Sequence, residues 1–230
     1  MHEPNVYLID ATAFCYRAYY AIRSLATASG QPTNAVFGFV RMLQKLLKDH
    51  QPDYLAVCFD VSRKTFRQEK FPDYKAQRQA MPDGLGSQMA LIKQVIRAYG
   101  IALFEQEGFE ADDIIATLAR QARKNNFTVT VVSSDKDLMQ LVAPGITLVN
   151  PSGDEGVFDA ARVAEKFGVT PGRIPDLIAL LGDTADNIPA VKGVTRKRAV
   201  DLLQRFDSVE DMLRHESTIS PEKLRVLITE

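Results

Sequence analysis

Carboxylates recur in this chain where apolar, β-branched runs stop. Asp10 closes Val6-Tyr7-Leu8-Ile9, and Asp60 closes Leu55-Ala56-Val57-Cys58-Phe59. Asp135 and Asp137 follow Val129-Thr130-Val131-Val132-Ser133-Ser134. Glu110, Asp112 and Asp113 open a helical pattern after Gly108-Phe109, and Asp183 and Asp186 flank a turn. In a parallel α/β sheet the carboxyl ends of the strands share one edge, where ligands bind. Acids gathered there cannot all stay ionised without cations. Hard divalent metals such as Mg²⁺ prefer such oxygen ligands. Two of them about 4 Å apart can activate a water, hold a scissile phosphate and stabilise the leaving oxygen. The residue types therefore point to a metal-dependent phosphodiesterase.

Each acid also has a plain structural use. Glu110, Asp112 and Asp113 complement a helix dipole, Asp135 suits a helix cap and Asp183 a turn. It is their recurrence in five segments that argues for chemistry. His2, His50 and His215 lie in terminal or helix-end contexts, which argues against zinc. An aspartyl-phosphate phosphatase built on Asp10 is disfavoured, because Thr12 stands where that chemistry wants a second acid.

The elements that must position these acids alternate in period. Residues 4–10, 54–60, 101–105, 127–133 and 146–149 read as strands, with Val157-Phe158 as a short addition. Residues 12–23, 34–48, 85–99 and 110–124 read as helices, the first with Thr12 as its cap. This βα alternation predicts a mostly parallel sheet flanked by helices over residues 1–158. From 159 to 230 short helices are punctuated by Pro171, Pro175, Gly182, Pro189 and Gly193, which predicts a helical module centred on 175–214.

At 230 residues the chain can bury one core with a small satellite. No apolar run reaches the roughly 18 residues of a membrane span, and no secretory signal opens the sequence. Cys15 and Cys58 sit in apolar runs and read as buried thiols of a reducing cytoplasm. The net charge is −1, but without the nine acids above the remainder holds 28 cations against 20 acids, a net of +8. An acidic pocket in a basic surface suits an enzyme that grips a phosphate backbone.

Two segments carry that basic character. Segment 61–83 interleaves Arg63, Lys64, Arg67, Lys70, Lys75 and Arg78 with Phe66, Phe71 and Tyr74, a pattern for gripping and stacking a single strand. Lys192-Gly193-Val194-Thr195-Arg196-Lys197-Arg198 places bare amides and cations at a helix start, a phosphate site that would hold duplex by its backbone.

Together the motifs resemble the 5′-nuclease (5′→3′ exonuclease, flap endonuclease) domain of bacterial DNA polymerase I, over nearly the whole chain. They are Leu8-Ile9-Asp10 with Tyr16-Arg17-Ala18-Tyr19, Val36-Phe37-Gly38-Phe39, Phe59-Asp60, Phe66-Arg67, Tyr74-Lys75-Ala76-Gln77-Arg78, Gly108-Phe109-Glu110-Ala111-Asp112-Asp113, Ser134-Asp135-Lys136-Asp137-Leu138 and Gly182-Asp183-Thr184-Ala185-Asp186-Asn187-Ile188-Pro189. The resemblance implies a PIN-like sheet domain, a helical arch over 61–83 and a helix–three-turn–helix motif over 182–204. It implies that Asp10, Asp60, Glu110 and Asp112 hold a first metal. Asp135, Asp137 and Asp186 would hold a second, with Asp113 and Asp183 direct or water-mediated ligands. Lys75 and Arg78 would contact the scissile phosphate, and Tyr16, Arg17 and Arg67 would position substrate. Lys192, Gly193, Thr195, Arg196 and Lys197 would hold duplex DNA, with K⁺ at the turn. Mg²⁺ would be the working ion, with Mn²⁺ able to replace it.

The implied reaction is metal-dependent hydrolysis near a 5′ end, nick or flap junction, on DNA or an RNA primer strand. The implied setting is replication and repair in the bacterial nucleoid, as a monomer working with a fused or separate polymerase. A non-catalytic nucleic-acid-binding module and a nuclease preferring RNA are the alternatives. Ala190 and Thr195 replace two glycines of the family's turn. Both restrict close approach and positive φ, so a weaker grip on duplex or K⁺ is expected there.

Overall fold

The computed structural model describes residues 3–61, 64–151 and 156–220, with 222, 225 and 226. The chain opens with β1 (Asn5–Asp10), α1 (Ala11–Ala21), α2 (Asn34–His50) and β2 (Tyr54–Phe59). It continues through α3 (Phe66–Lys70), α4 (Asp83–Ala98), β3 (Ala102–Glu105), α5 (Ala111–Lys124) and β4 (Thr128–Val132). After β5 (Ile146–Val149) and β6 (Val157–Phe158) come α6 (Ala160–Phe167), α7 (Ile174–Leu181), α8 (Arg196–Arg205) and α9 (Val209–Arg214). The strands form one sheet in the order β3-β2-β1-β4-β5-β6. All neighbours are parallel except β5 and β6. The expected mostly parallel sheet is therefore present.

The strand order reverses between β1 and β4: the chain runs outward through β2 and β3, then returns to the other side of β1. A crevice opens at such a switch point, beyond the strand carboxyl ends. Strand periodicity then decides what faces it. Leu8, Ala56, Cys58, Val129 and Val131 pack in the core beneath α5. Their in-between neighbours Ile9, Val57, Phe59 and Val132 pack on the opposite face with α1, α2 and α4. Two residues onward along the α5 rows stand Asp10, Asp60 and Ser133. The apolar rows thus end in polar groups at the N-terminus of α5.

The C-terminal helices do not form a separate core. Leu177 and Leu180 of α7, Ala199 and Leu202 of α8 and Met212 of α9 belong to the same apolar cluster as the α5 face of the sheet. This shared packing fixes the turn carrying Asp183 and Asp186 relative to the strand ends. Gly182, which ends α7 at φ 71°, is needed at that turn: a Cβ there would lie 2.5 Å from the Ala190 amide nitrogen.

Two local expectations are corrected. The cap of α1 is Asp10, whose carboxylate accepts from the Ala13 amide. Thr12 instead accepts from the Asp60 amide, tying the end of β2 to α1. The described residues of segment 61–83 before α4 hold one short helix, α3, opened by a Thr65–Gln68 capping box and followed by turns. Arg63 lies outside the described residues.

The far end of that segment is anchored through Gln88, a buried residue of α4. Its amide oxygen accepts from the Ala35 and Val36 amides, and its amide nitrogen donates to Asn34 and to the Gly84 carbonyl. Asn34 in turn donates to the carbonyls of Tyr19 and Ile22. One side chain therefore caps α2 and pins α4 to α1. Gln88→Leu leaves one buried and one half-buried amide without acceptors, and is expected to cost about 2–4 kcal/mol of folding free energy in urea unfolding, since each orphaned group costs roughly 1–3 kcal/mol. A loss under about 0.5 kcal/mol would refute this accounting.

Candidate active site

Acids from β1, β2, α5 and β4 meet at the crevice. Asp10, Asp60, Glu110, Asp112 and Asp135 line one cleft of about 570 Å³, together with Tyr16, Lys75 and Arg78. A second cleft of about 950 Å³ adjoins it, shares Glu110 and Asp112, and adds Asp113, Asp137 and Asp186. Asp183 is buried and lines neither of these two clefts. Eight of the nine expected acids therefore face one continuous depression.

Local hydrogen bonds set most of these carboxylates. Asp10 accepts from the Ala13 amide at 3.2 Å and from the Ser133 hydroxyl at 2.9 Å. Asp60 accepts from the Ala111 amide at 2.8 Å, at the positive end of α5. Asp135 accepts from the Asp137 amide, and its own amide donates to Ser133. Asp183 accepts from the Ala185 amide and pairs with Lys136 at 2.8 Å.

Crowding shows in their acidity. Burial, with the charges of Asp10, Asp135 and Asp60 nearby, pushes Asp112 up to about 8. Burial and the charges of Asp135 and Asp183 push Asp137 to about 7. Burial raises Asp10 to about 6, with Asp60 and Asp135 adding to it. Two acids go the other way. Burial opposes the charge of Asp113, but the Arg67 guanidinium outweighs it and holds the carboxyl below its usual range. Lys136 does the same for Asp183 against its burial.

Segment 61–83 lies against these acids. Arg67 forks onto Asp113 at 2.7 and 2.8 Å. Tyr74 is 8% exposed, and its hydroxyl lies 2.8 Å from Asp186 and 3.1 Å from Glu110. Lys75 Nζ lies 2.9 Å from Glu110 and 3.5 Å from Asp186, on a backbone at φ 54°. Gln77 donates to the Thr184 carbonyl, and Asn187 to that of Asp73. Tyr74 thus departs from the expected stacking surface: the residue is buried, its hydroxyl is on Asp186 and Glu110, and Lys75 lies over its ring. Phe66 and Phe71 stay exposed, as do Lys64, Lys70 and Arg78. Arg67 and Asp113 are committed to each other. Arg17 is half-buried on α1 and is not among the residues lining these two clefts.

The basic C-terminal turn is separate from the clefts. Lys192, Gly193, Thr195, Arg196 and Lys197 are all exposed. Gly193 takes φ 78°, but Thr195 sits at φ −84° and caps α8 through its hydroxyl. The backbone penalty expected for threonine at 195 therefore does not arise; Ala190, also without positive φ, packs its backbone under Gly182.

Sequence reading missed Ser133 and Lys136 as site residues. The signal for Ser133 was available: it is the third member of the period-2 row Val129, Val131, Ser133. Nothing in the spacing singled out Lys136.

The donor set is all oxygen, which suits hard divalent cations. Among the described residues the one buried side-chain polar atom lacking a hydrogen-bond partner is Oδ1 of Asp137. An orphaned carboxylate oxygen beside acids that repel one another fits a cation ligand. No three of these side chains are already drawn together to hold one ion among the described residues. Tyr74 and Lys75 each bridge Glu110 and Asp186.

Comparison with known proteins bears on this site. The family model for the 5′-3′ exonuclease N-terminal resolvase-like domain matches residues 5–168, and that for the 5′-3′ exonuclease C-terminal SAM fold matches 169–230. A 5′-3′ exonuclease of Aquifex aeolicus is 45% identical over 211 residues, 92% of this chain and 73% of that protein. DNA polymerase I of Bacillus subtilis is 42% identical over 226 residues, 97% of this chain but only 26% of that protein. The chain thus spans about a quarter of the polymerase relative's length. The fold matches that of the T5 5′-exonuclease with bound zinc at a TM-score of 0.80 and 22% identity, over 98% of this chain and 84% of that one. It matches the catalytic core of Rad2 in complex with DNA substrate at 0.65 and 17%, over 98% and 71%.

The raised acids predict a pH dependence. Unfolded carboxyls release protons near pH 4, whereas Asp10, Asp137 and Asp112 hold theirs to about 6, 7 and 8. Between those limits the folded state binds more protons, so metal-free stability falls as pH rises from about 4 to about 8. Urea unfolding in EDTA should show this decline, and Asp112→Asn should flatten its upper end. Stability that rises with pH across that window would contradict the crowding described here.

Proposed function

The chain belongs to the 5′-3′ exonuclease family, and we propose that it is a structure-specific 5′ nuclease that hydrolyses phosphodiester bonds near a 5′ end, nick or 5′-flap junction. The observation that carries this reading is the meeting of acids from β1, β2, α5 and β4 in one cleft with Lys75 and Arg78. Acids alone would describe a cation site; acids with two cations and an opening describe a place for a phosphodiester.

Asp10, Asp60, Glu110 and Asp112 would hold one divalent cation, Mg²⁺ or Mn²⁺, and Asp135, Asp137 and Asp186 a second. Such ions supply Lewis acidity to the phosphate and a more acidic water for attack. The protein's own groups do the rest. Lys75 and Arg78 offset charge on the non-bridging oxygens as it builds. Tyr16, lining the cleft with Asp10 and Asp60, would border the strand. Arg67 acts through Asp113 by holding α3 on α5, rather than by reaching substrate. Asp183 acts through Lys136 and the turn it stabilises. Lys192, Arg196 and Lys197 offer an exposed set of cations to a duplex backbone beyond the cleft, with the Gly193 turn as the place for K⁺. An RNA primer strand, a polymerase fused or separate, and a bacterial cytoplasmic setting are natural extensions of the same reading.

End-labelled 5′-flap DNA should be cut near the junction in Mg²⁺ and left intact in EDTA. Asp112→Asn should slow cutting on the order of 10²-fold or more, the scale of losing one preorganised electrostatic group. Binding of the flap without incision by the unaltered chain would instead indicate a nucleic-acid-binding module. Lys75→Ala and Arg78→Ala should each lower turnover by roughly 10²-fold while changing duplex affinity by less than about threefold. Equal losses in both would remove these residues from the reaction and place them in binding.

A further inference from the structure

Ser133 stands where β4 leaves the sheet. The parallel register pairs Ile9 with Val132, so the next pair is Asp10 with Ser133, with both side chains on the α5 face. Register partners in neighbouring strands are less than about 5 Å apart, close enough for a short hydroxyl to reach a short carboxylate. Ser133 is 0% exposed. Its hydroxyl donates to Oδ2 of Asp10 at 2.9 Å and accepts from the Asp135 amide at 3.0 Å. Its amide donates to the Val149 carbonyl of β5.

A hydroxyl can donate once and accept as well, and here both capacities are used on the site. Asp10 Oδ1 is already held by the Ala13 amide. The Ser133 bond therefore fixes the second oxygen and with it the rotation of the carboxylate. The same hydroxyl closes the tight turn that carries Asp135, whose carboxylate accepts from the Asp137 amide. A single chain of bonds thus runs from Asp10 through Ser133 to Asp135 and Asp137, crossing the switch point between β1 and β4.

We propose that Ser133 is a positioning residue that sets Asp10 and the Asp135–Asp137 turn in mutual register for divalent cations. The inference rests on the reading of these acids as a metal site. The neutral hydroxyl suits the position. A third carboxylate in the row of Asp10 and Asp60 would add repulsion, and an apolar group would leave both a buried carboxylate oxygen and a buried amide unpaired. Groups that orient ligands in this way typically govern metal affinity by 10–100-fold.

The test uses the whole chain with Ca²⁺ as a probe of binding without turnover, by titration calorimetry in the absence of DNA. Ser133→Ala should bind Ca²⁺ on the order of 10-fold more weakly than the unaltered chain. Its affinity for duplex DNA in EDTA should be unchanged. The Mg²⁺ concentration for half-maximal cleavage should rise by a similar factor. Ser133→Thr, which keeps the hydroxyl, should restore both. Lower stability alone would move neither the Ca²⁺ affinity of the folded fraction nor the Mg²⁺ midpoint. If Ser133→Ala does not fold, Ser133→Cys replaces it, because its thiol is a weak donor in nearly the same volume. Ca²⁺ affinity within twofold of the unaltered chain, in the folded Ala or Cys variant, would overturn the role of Ser133 while leaving the metal site standing. An unaltered chain that binds neither Ca²⁺ nor Mn²⁺ would overturn the metal reading itself, and this inference with it.

Discussion

Repulsion among carboxylates drawn from separate strands is the constraint around which the rest of this structure is arranged. Burial, joined by the charges of Asp60 and Asp135, raises the pKa of Asp10, and burial with the charges of Asp10, Asp135 and Asp60 raises that of Asp112. Such a cluster is unfavourable unless each member is held and offset. The offsets are visible one by one. The amide end of α5 receives Asp60, Ser133 and Ala13 receive Asp10, Arg67 receives Asp113, and Lys136 receives Asp183. Among the described residues, the raised Asp112 and the unpartnered Oδ1 of Asp137 are parts of the cluster with spare demand for positive charge.

The fold supplies the rigidity that such crowding requires. A parallel sheet closes its strand ends on one edge, and its reversal between β1 and β4 opens the crevice there. Packing α7, α8 and α9 into the same apolar cluster as α5 brings the turn of Asp183 and Asp186 to that edge as well. The acids of the strand ends and those of the turn after α7 are thereby held by one core. A core of this kind is close-packed and transmits small displacements, so the spacing of the acids is a property of the whole chain.

Segment 61–83 meets the same constraint from above. Tyr74 and Lys75 rest on Glu110 and Asp186, and the positive φ of Lys75 is tolerated because its backbone amide donates to the Asp186 carbonyl. Among the described residues of the segment, Phe66, Phe71, Lys64, Lys70 and Arg78 are exposed, while Arg67, Tyr74 and Lys75 are turned to the acids. Charge runs in sequence say that cations are present, but not which of them are already spent on neighbouring acids.

Strand order along the chain, the parallel sheet and the edge at which the acids gather are readable from the residues alone, because side-chain period and strand-end polarity are local properties. Asp10, Asp60 and Glu110 were legible on those grounds, each standing at the end of an apolar run or the start of a helix. Which acids are paired and which are not emerges with the packing of distant segments. Asp113 looked like Asp112 until Arg67 arrived from 46 residues away; Tyr74 looked like a stacking ring until Asp186 arrived from 112 residues away. Ser133 was one more polar residue until the register with β1 placed it beside Asp10. Hydrogen bonds and ion pairs between distant segments depend on register and packing, which no single stretch of sequence contains.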